Sequence, residues 1–320
     1  MTTISSAAEQ PAVTAAAAPP AGRPDVNRRK LARMGWLFAA PALIFVAGVT
    51  IFPILYSVVM SLRNVNATGN GFIMTGVTGA NYSALIHAAV WRYALGFTIV
   101  YTIITVLVEL VLGTLIALVL ERLTAGRGWM MALLLIPWSM ITVINAELWG
   151  YIYEGTYGAL QAIFQAVGLG HPNILGTSTP AIIGMMVADI WKTTPFVAII
   201  VLAGLVMLPG DIYEAAEIDG ASGWYTFWHV TLPLLRPTLA LAVMFRVLQA
   251  FGLFDLPYVL TGGGPGTATT SLAVLGYDAM FKNLDFGGGA AVATSTALLV
   301  LLGCLLSLRT FRVQVGKEDT

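Results

Sequence analysis

The most constraining feature of this sequence is a run without any charged residue that covers positions 34–62. A basic cluster precedes the run, which is much longer than the roughly 7–15 apolar residues of a signal peptide. A signal cleaved near Ala39 and Ala40 is the alternative, and it would require a cut inside the run. Apolar stretches of about 18 residues or more favour a membrane-spanning helix. We therefore predict a first span from Trp36 to Ser61.

The composition agrees with a membrane protein of several spans. Apolar residues make up 58% of the 320 positions and charged residues only 10%, whereas a soluble domain carries about 25% charged residues. The 16 Lys and Arg balance the 16 Asp and Glu, which argues against nucleic-acid binding. A single cysteine, Cys304, excludes an intramolecular disulfide, and three scattered histidines leave little for a metal centre. We expect no metal site.

Five later apolar stretches are separated by Gly, Pro and polar clusters, which mark loops. They predict spans near residues 94–120, 129–152, 180–207, 238–260 and 289–308. Together with the first span they give an all-α integral membrane protein of six transmembrane helices. Six spans place both termini on the same side of the membrane.

Basic residues in the connections predict which side that is, because cytoplasmic loops are enriched in Lys and Arg. With the N-terminus inside, only Arg63, Arg92 and Lys282 lie outside. The cytoplasmic basic residues are Arg23, Arg28, Arg29, Lys30, Arg33, Arg122, Arg127, Arg236, Arg309, Arg312 and Lys317. We therefore predict a multi-pass protein of the cytoplasmic membrane with both termini in the cytoplasm. Its parts are a disordered tail over 1–33, a six-span domain over 34–309 and a second tail over 310–320.

The cytoplasmic connection over residues 209–237 is longer than two neighbouring helices require. Asp211 followed by Glu214 resembles a capping box and predicts a helix that begins at Ile212. Gly220 suits a left-handed terminator, and Ser222 can cap a second helical piece. The short helix carries a face of small side chains that another backbone could approach closely. The alternative is an interfacial helix that lies on the lipid headgroups, anchored by Trp and Tyr.

The same loop contains a spaced set of residues, namely Glu214, Ala215, Ala216, Gly220, Val230, Leu232 and Pro233. This set resembles the EAA loop of ATP-binding-cassette importer permeases, with Val230 in the place of the usual Ile. Residues 191–195 and 254–265 are similar to the carbohydrate-uptake branch of that family, which includes permeases for maltose, glycerol-phosphate and trehalose. The resemblance implies a type I importer permease bundle with a cytoplasmic coupling helix. It implies ATPase-coupling residues at Glu214, Ala215, Ala216, Asp219 and Gly220.

The resemblance also implies the partners and the task of the chain. A second homologous permease, two ATP-binding-cassette ATPases and an extracytoplasmic substrate-binding protein or lipoprotein would assemble with it in the lipid membrane. The complex would import a sugar, trehalose or a similar disaccharide, by alternating access. The chain has no G-x-x-x-x-G-K-[ST] motif and no catalytic motif. We therefore expect no enzyme site and no cofactor of its own, with ATP and Mg held by the ATPase subunits.

Ionisable residues inside the predicted spans each require a partner or a water-lined path. They are Glu109, Glu147, Asp189, Lys192, Arg246 and Asp255. Asp189 and Lys192 are three residues apart and could pair on one helix face. For Glu109 and Glu147 we favour hydrogen bonds between helices over contact with substrate.

A polar stripe in the fifth span predicts part of a substrate pathway. Arg246, Gln249 and Leu253 repeat at i, i+3 and i+7 and share one helix face. By resemblance to maltose-type permeases, the helices carrying Trp191 and Arg246 line the sugar pocket. The pathway candidates are Trp191, Thr193, Phe196, Arg246, Gln249, Leu253 and Asp255. Ala250 and Leu253 replace polar residues of the maltose pocket, and a packed polar interface with the partner permease is the alternative.

Two functions of other classes remain open at this point. An ion-gradient-driven secondary transporter of a small polar solute would use Glu109, Asp189 and Arg246 as coupling groups. A membrane scaffold without transport activity is the second. Neither of them requires the EAA loop.

Overall fold

The computed structural model describes residues 26–69, 71–168, 170 and 173–310. The predicted tails lie largely outside these residues, but residues 26–33, which were predicted to belong to a disordered tail, are helical as the start of α1 (Val26–Val46). Residues up to Ile54 and residues from Leu55 onward form two compact units. The fold is mainly helical, with one pair of strands in the described residues.

The first apolar run is helical as predicted, although its backbone is not uniform. Helix α1 (Val26–Val46) and helix α2 (Phe52–Ser61) are joined by a wide π-type turn, Ala47–Ile51. The N–H of Phe52 donates to the carbonyl of Ala47, five residues back. Pro53 follows directly and has no N–H with which to continue the regular ladder. A wide turn at this point satisfies the backbone that the proline disrupts.

A β-hairpin follows α2, and the sequence analysis did not predict it. Strand β1 (Arg63–Thr68) pairs antiparallel with strand β2 (Gly71–Val77). Helix α3 (Ala80–His87) packs beside it, and the Asn81 amide donates to the carbonyls of Ser61 (2.9 Å) and Arg63 (3.0 Å). These bonds fix the hairpin at the end of α2.

The remaining elements are helices joined by short connections. In chain order they are α4 (Ala89–Arg122), α5 (Arg127–Ser139), α6 (Thr142–Tyr153), α7 (Ala159–Ala166), α8 (Ser178–Val206), α9 (Gly210–Ile218), α10 (Gly223–Thr226), α11 (Leu232–Leu234), α12 (Arg236–Phe251), α13 (Asp255–Thr261), α14 (Leu272–Tyr277) and α15 (Phe286–Thr310). Among the described residues, four helices are long and apolar enough to cross a membrane, and two bent pairs raise the number to six if each pair is one span.

Helix α4 shows how the bundle is built for a membrane. Its exposed side is an apolar stripe that includes Ile103, Leu107 and Val111, while its buried side carries Thr105 and Glu109. Polar groups inside and apolar groups outside are the reverse of a soluble helix, because lipid cannot satisfy polar atoms. Helix α4 therefore packs its polar side on the other helices of the bundle.

Two apolar clusters lie at the two ends of the bundle. The cluster nearer α9 includes Leu120, Val201 and Leu239, and the cluster nearer α14 includes Tyr101 and Met185. Helices α4 and α8 contribute to both clusters. Glu109 of α4 and Asp189 of α8 are buried on the stretches between the clusters, and together with Arg246 of α12 they form the candidate site.

Two predicted spans, near residues 129–152 and 238–260, are each divided into two helices in the structure. The third predicted span bends by 89° between α5 and α6. Met140 and Ile141 adopt extended backbone at the bend, three and four residues after Pro137 near the end of α5. The fifth predicted span ends at Phe251, and α13 starts separately at Asp255. Residues next to both breaks line the same cavity.

Candidate functional site

The centre of the bundle is an ionic network around Arg246 of α12. Its guanidinium forms an ion pair with Glu109 through Nε and through Nη2, the latter at 2.8 Å from Oε1. Nη2 also lies 3.2 Å from Asp189 Oδ2, and Nη1 donates to Gln249 Oε1 at 2.8 Å. Arg246 is 2% exposed and Glu109 is 0% exposed, so both charges depend on these contacts.

Hydroxyl groups complete the network. Thr193 donates to Glu109 Oε1 at 2.7 Å, and the Tyr101 hydroxyl donates to Asp189 Oδ2 at 3.2 Å. The network thus ties α4, α8 and α12 together through residues far apart in sequence. It confirms the prediction that Glu109 makes hydrogen bonds between helices.

A cavity of about 310 Å³ lies against this network. Its lining comes from the bend of α5 and α6, from α8, and from the break between α12 and α13. The lining residues are Trp138, Thr142, Asn145, Asp189, Lys192, Thr193, Arg246, Gln249, Ala250, Gly252, Leu253, Phe254, Asp255 and Leu256. The volume is at the lower end of small-molecule sites.

Five of the seven pathway candidates line the cavity, namely Thr193, Arg246, Gln249, Leu253 and Asp255. The structure does not place Trp191 or Phe196 in the lining. The Trp191 ring packs edge-on against Trp149, with centroids 5.8 Å apart. Because α8 is a regular helix, Trp191 points away from the face that carries Thr193 and Asp189.

Phe254 and Trp138 are the aromatic side chains of the lining, and the sequence analysis missed Trp138. Phe196 stacks behind it with ring centroids 5.5 Å apart and planes 6° apart. Phe196 therefore supports the lining ring. The signal in the sequence was Pro137, which marks the end of α5 and brings the next residues to the bend.

Asp189 and Lys192 do not form the predicted pair. Asp189 instead contacts Arg246, and Lys192 Nζ donates to Thr142 Oγ1 at 3.1 Å. Asp189 pairs with the Arg246 guanidinium of α12 in the bundle interior, whereas the half-buried Lys192 lines the cavity.

Glu147 of α6 is exposed in this chain. No hydrogen bond or ion pair of Glu147 is found among the described residues. The prediction that it bonds between helices therefore gains no support within the part of the chain that the structure describes.

The connection over residues 209–237 contains the predicted short helix, α9, with a different start. It begins at Gly210 after Pro209, and Asp211 makes no capping hydrogen bond, so the predicted start at Ile212 is wrong. Pro209 already holds an extended backbone (φ −63°, ψ 133°), and Asp211 lies in the first turn. Gly220 has a φ of +71°, and Ser222 Oγ accepts the N–H of Tyr225 at 3.3 Å, both as predicted.

The coupling candidates lie on the outside of this loop. Glu214, Ala215, Asp219 and Gly220 are exposed, and Ala216 is half-buried. The small side chains of α9 are therefore open to a partner.

Residues 110–315 match the family of binding-protein-dependent transport system inner membrane components. The chain belongs to this family. The matched segment contains α9 and all of the cavity lining described above. The permease is also 38% identical over 282 residues to the trehalose/maltose transport system permease MalF of Thermococcus litoralis, covering 88% of this chain and 94% of that protein.

Two further comparisons agree. The trehalose transport system permease SugA of Mycobacterium tuberculosis strain H37Rv is 35% identical over 274 residues, or 85% of each chain. The structure of a bacterial alginate ABC transporter, in complex with a periplasmic protein carrying alginate pentasaccharide, superposes with a TM-score of 0.77 at 18% identity. That match covers 89% of this chain and 96% of the other, and it shows the same fold.

Family membership confirms the predicted fold class, an importer permease bundle of the inner membrane. It also confirms that the chain is a transport subunit rather than an enzyme. The ion-gradient transporter and the scaffold are set aside, because the family works with a binding protein. Glu109, Asp189 and Arg246, which the first of these alternatives named as coupling groups, form one closed network.

Proposed function

We propose that the permease carries a neutral disaccharide of the trehalose or maltose type through the cavity beside Arg246. The observation that carries this proposal is the polar lining of the cavity of about 310 Å³ that lies against the ionic network. The two similar permeases, which are named for trehalose and maltose transport and for trehalose transport, support the same class.

The lining offers what a sugar requires. Trp138 provides an apolar ring face, and its stacking on Phe196 holds that face in place. Gln249 and Asp255 provide an amide and a carboxylate, and Lys192 provides an ammonium group, so hydroxyls find both donors and acceptors. An apolar surface with a few directed polar groups is typical of small-molecule sites.

The charges of the lining favour a neutral solute. Asp189 and Asp255 oppose Lys192 and Arg246 across the lining, and Glu109 adds a negative charge behind Arg246. The guanidinium of Arg246 already donates to three side chains. An anionic sugar would therefore find no unpaired guanidinium and would face a slight excess of negative charge.

The loop around α9 supports a role in coupling. We propose that Glu214, Ala215, Ala216, Asp219 and Gly220 form the surface that docks on an ATPase subunit. The exposed small side chains allow close approach, and a helix of this length needs such a partner to be stable. ATP and Mg would bind to two ATPase subunits, and both termini of this chain would lie in the cytoplasm.

A second homologous permease and an extracytoplasmic binding protein or lipoprotein complete the proposed complex. The structure of the alginate ABC transporter, which contains a periplasmic protein bound to alginate pentasaccharide, is consistent with the latter. ATP binding would favour one arrangement of the bundle and hydrolysis the other, because each state binds ATP differently. The sugar would enter and leave on opposite sides.

The test is transport by the complete importer in proteoliposomes. We expect labelled trehalose or maltose to enter vesicles only when the binding protein and ATP are both supplied. Collapse of the proton and sodium gradients should leave the initial rate unchanged. Uptake that needs a gradient but no ATP, or uptake of a uronic-acid disaccharide in preference to both neutral sugars, would refute the proposal.

A further inference from the structure

Asn145 is a buried polar residue that neither the sequence analysis nor the ionic network uses. It lies on α6, three residues after Thr142, so both side chains face the same way. Both line the cavity. Asn145 is 0% exposed, and neither its amide oxygen nor its amide nitrogen has a hydrogen-bond partner among the residues that the structure describes.

An amide in this position requires a partner. Buried polar groups in proteins are almost always hydrogen-bonded, and one left without a partner destabilises the fold. The side chain has no exposed surface even in the isolated chain. Neither lipid nor a second permease subunit therefore touches it, and the nearest space that a partner can occupy is the cavity it lines, from which a small shift of neighbouring side chains uncovers the amide.

The chemistry of the group narrows that partner. The oxygen of an amide accepts a hydrogen bond and its NH2 group donates, while the side chain carries no charge. Two neighbouring hydroxyls of a sugar ring offer a donor and an acceptor at a matching separation. Thr142 adds a hydroxyl one turn earlier, which Lys192 Nζ contacts at 3.1 Å. The side chains of Thr142 and Asn145 can thus form hydrogen bonds with the hydroxyl groups of a sugar.

We propose that Asn145 is a specificity-determining residue that recognises a pair of adjacent hydroxyls on the sugar. This inference rests on the proposed function, because it takes the cavity to be the sugar pathway. It adds a contact on α6 to the contacts on α8 and α12. A site that bonds a particular hydroxyl rejects an analogue without it, since its own polar groups are then left unpaired.

The experiment compares wild-type importer with an Asn145→Leu variant, which has nearly the same shape and no polar atoms. Maximal uptake rates are measured for trehalose and for its 2-, 3-, 4- and 6-deoxy derivatives. Each sugar is supplied at a concentration that saturates the binding protein. The wild-type and variant importers use the same binding protein. The preference of the binding protein among the sugars therefore cancels when the two importers are compared.

We expect wild type to transport at least one deoxy derivative about tenfold more slowly than trehalose, as the loss of one hydrogen bond predicts. In Asn145→Leu the ratio of the trehalose rate to the rate for that derivative should fall to about one. The corresponding ratios for the other derivatives should stay unchanged. Tyr151→Phe is the matched control, because Tyr151 lies on the same helix and is 65% exposed. It should keep all wild-type ratios.

Asn145→Leu with wild-type ratios at every hydroxyl would overturn the proposal. If that variant does not assemble, Asn145→Ser keeps one hydrogen-bonding group and should reduce the same ratio only in part; an unchanged ratio there would overturn the proposal equally. Failure of wild type to transport trehalose or maltose at all would instead refute the proposed function.

Discussion

Replacement of Arg246 by Met is the sharpest test of the ionic network. In the structure, one positive charge faces two buried carboxylates, Glu109 and Asp189. The network therefore carries a net charge of −1 when all three groups are ionised. Arg246→Met leaves −2 with no counter-ion, Glu109→Gln leaves zero, and the double variant returns to −1. The three variants are thus expected to differ in stability although each disrupts the same ion pair.

The expected magnitude follows from the burial of the pair. Removal of one partner from a buried ion pair costs about 3–5 kcal/mol, since the other charge is left uncompensated. At about 2–4 °C per kcal/mol for a chain of this order of size, Arg246→Met should lower the melting midpoint by roughly 6–20 °C. Glu109→Gln keeps the contact between Arg246 and Asp189 and should cost about 1–3 kcal/mol. The double variant should lie nearer to Glu109→Gln.

The assay is the fraction of importer complex that stays monodisperse after heating in detergent. All variants are heated at one fixed rate, because large assemblies unfold irreversibly. Lys282→Met is the control. Its partner Asp278 lies 2.7 Å away, but the pair is partly exposed, so we expect at most about 1 kcal/mol. Equal midpoints for Arg246→Met and Glu109→Gln, or a double variant whose loss is the sum of the two, would refute the charge argument.

Three further predictions concern other parts of the chain. Gly113→Val should reduce the yield of assembled complex and cost about 1–3 kcal/mol, because a Cβ at Gly113 would lie 2.7 Å from Val197 Cγ1 across α4 and α8; an unchanged melting midpoint would contradict this. Gly220→Glu should abolish sugar-stimulated ATP hydrolysis while the permease still inserts, since position 220 has a φ of +71° and belongs to the proposed docking surface; normal hydrolysis would argue against docking there. Backbone N–H groups of Tyr157 and Thr156 hold the pKa of the Glu154 carboxyl below its usual range. These hydrogen bonds should slow hydrogen exchange in peptide 155–158 above about pH 4.5. The protection should be lost as the pH falls through the pKa of Glu154 in the folded protein. In Glu154→Ala, the protection that the carboxylate provides should be absent at every pH.

The sequence predicted the polar stripe of the fifth span and most of the cavity residues on it. Arg246, Gln249 and Leu253 share a face because the helical period fixes it, and Asp255 follows at the break. The prediction failed for Trp191, since periodicity alone does not say which face of α8 looks inward. It missed Asn145 because the search for costly groups in the membrane considered only ionisable residues.

What the sequence determined by itself is local. Long charge-free runs predicted membrane-spanning helices, Pro and Gly marked where the chain turns, and residues 214–233 predicted a coupling loop through their resemblance to a known family. Each of these depends on neighbours within a few turns of one helix.

The tertiary structure decided everything that joins distant segments. Arg246 contacts Glu109, 137 residues away in sequence, and Asp189, 57 residues away. No spacing rule in the sequence predicts that Asp189 pairs with Arg246 rather than with Lys192. The 89° bend of the third span, which brings Trp138 and Asn145 to the cavity, likewise depends on where α8 and α12 leave room. A buried charge is stabilised by the oppositely charged side chain that the packing of the helices places next to it. That choice belongs to the fold.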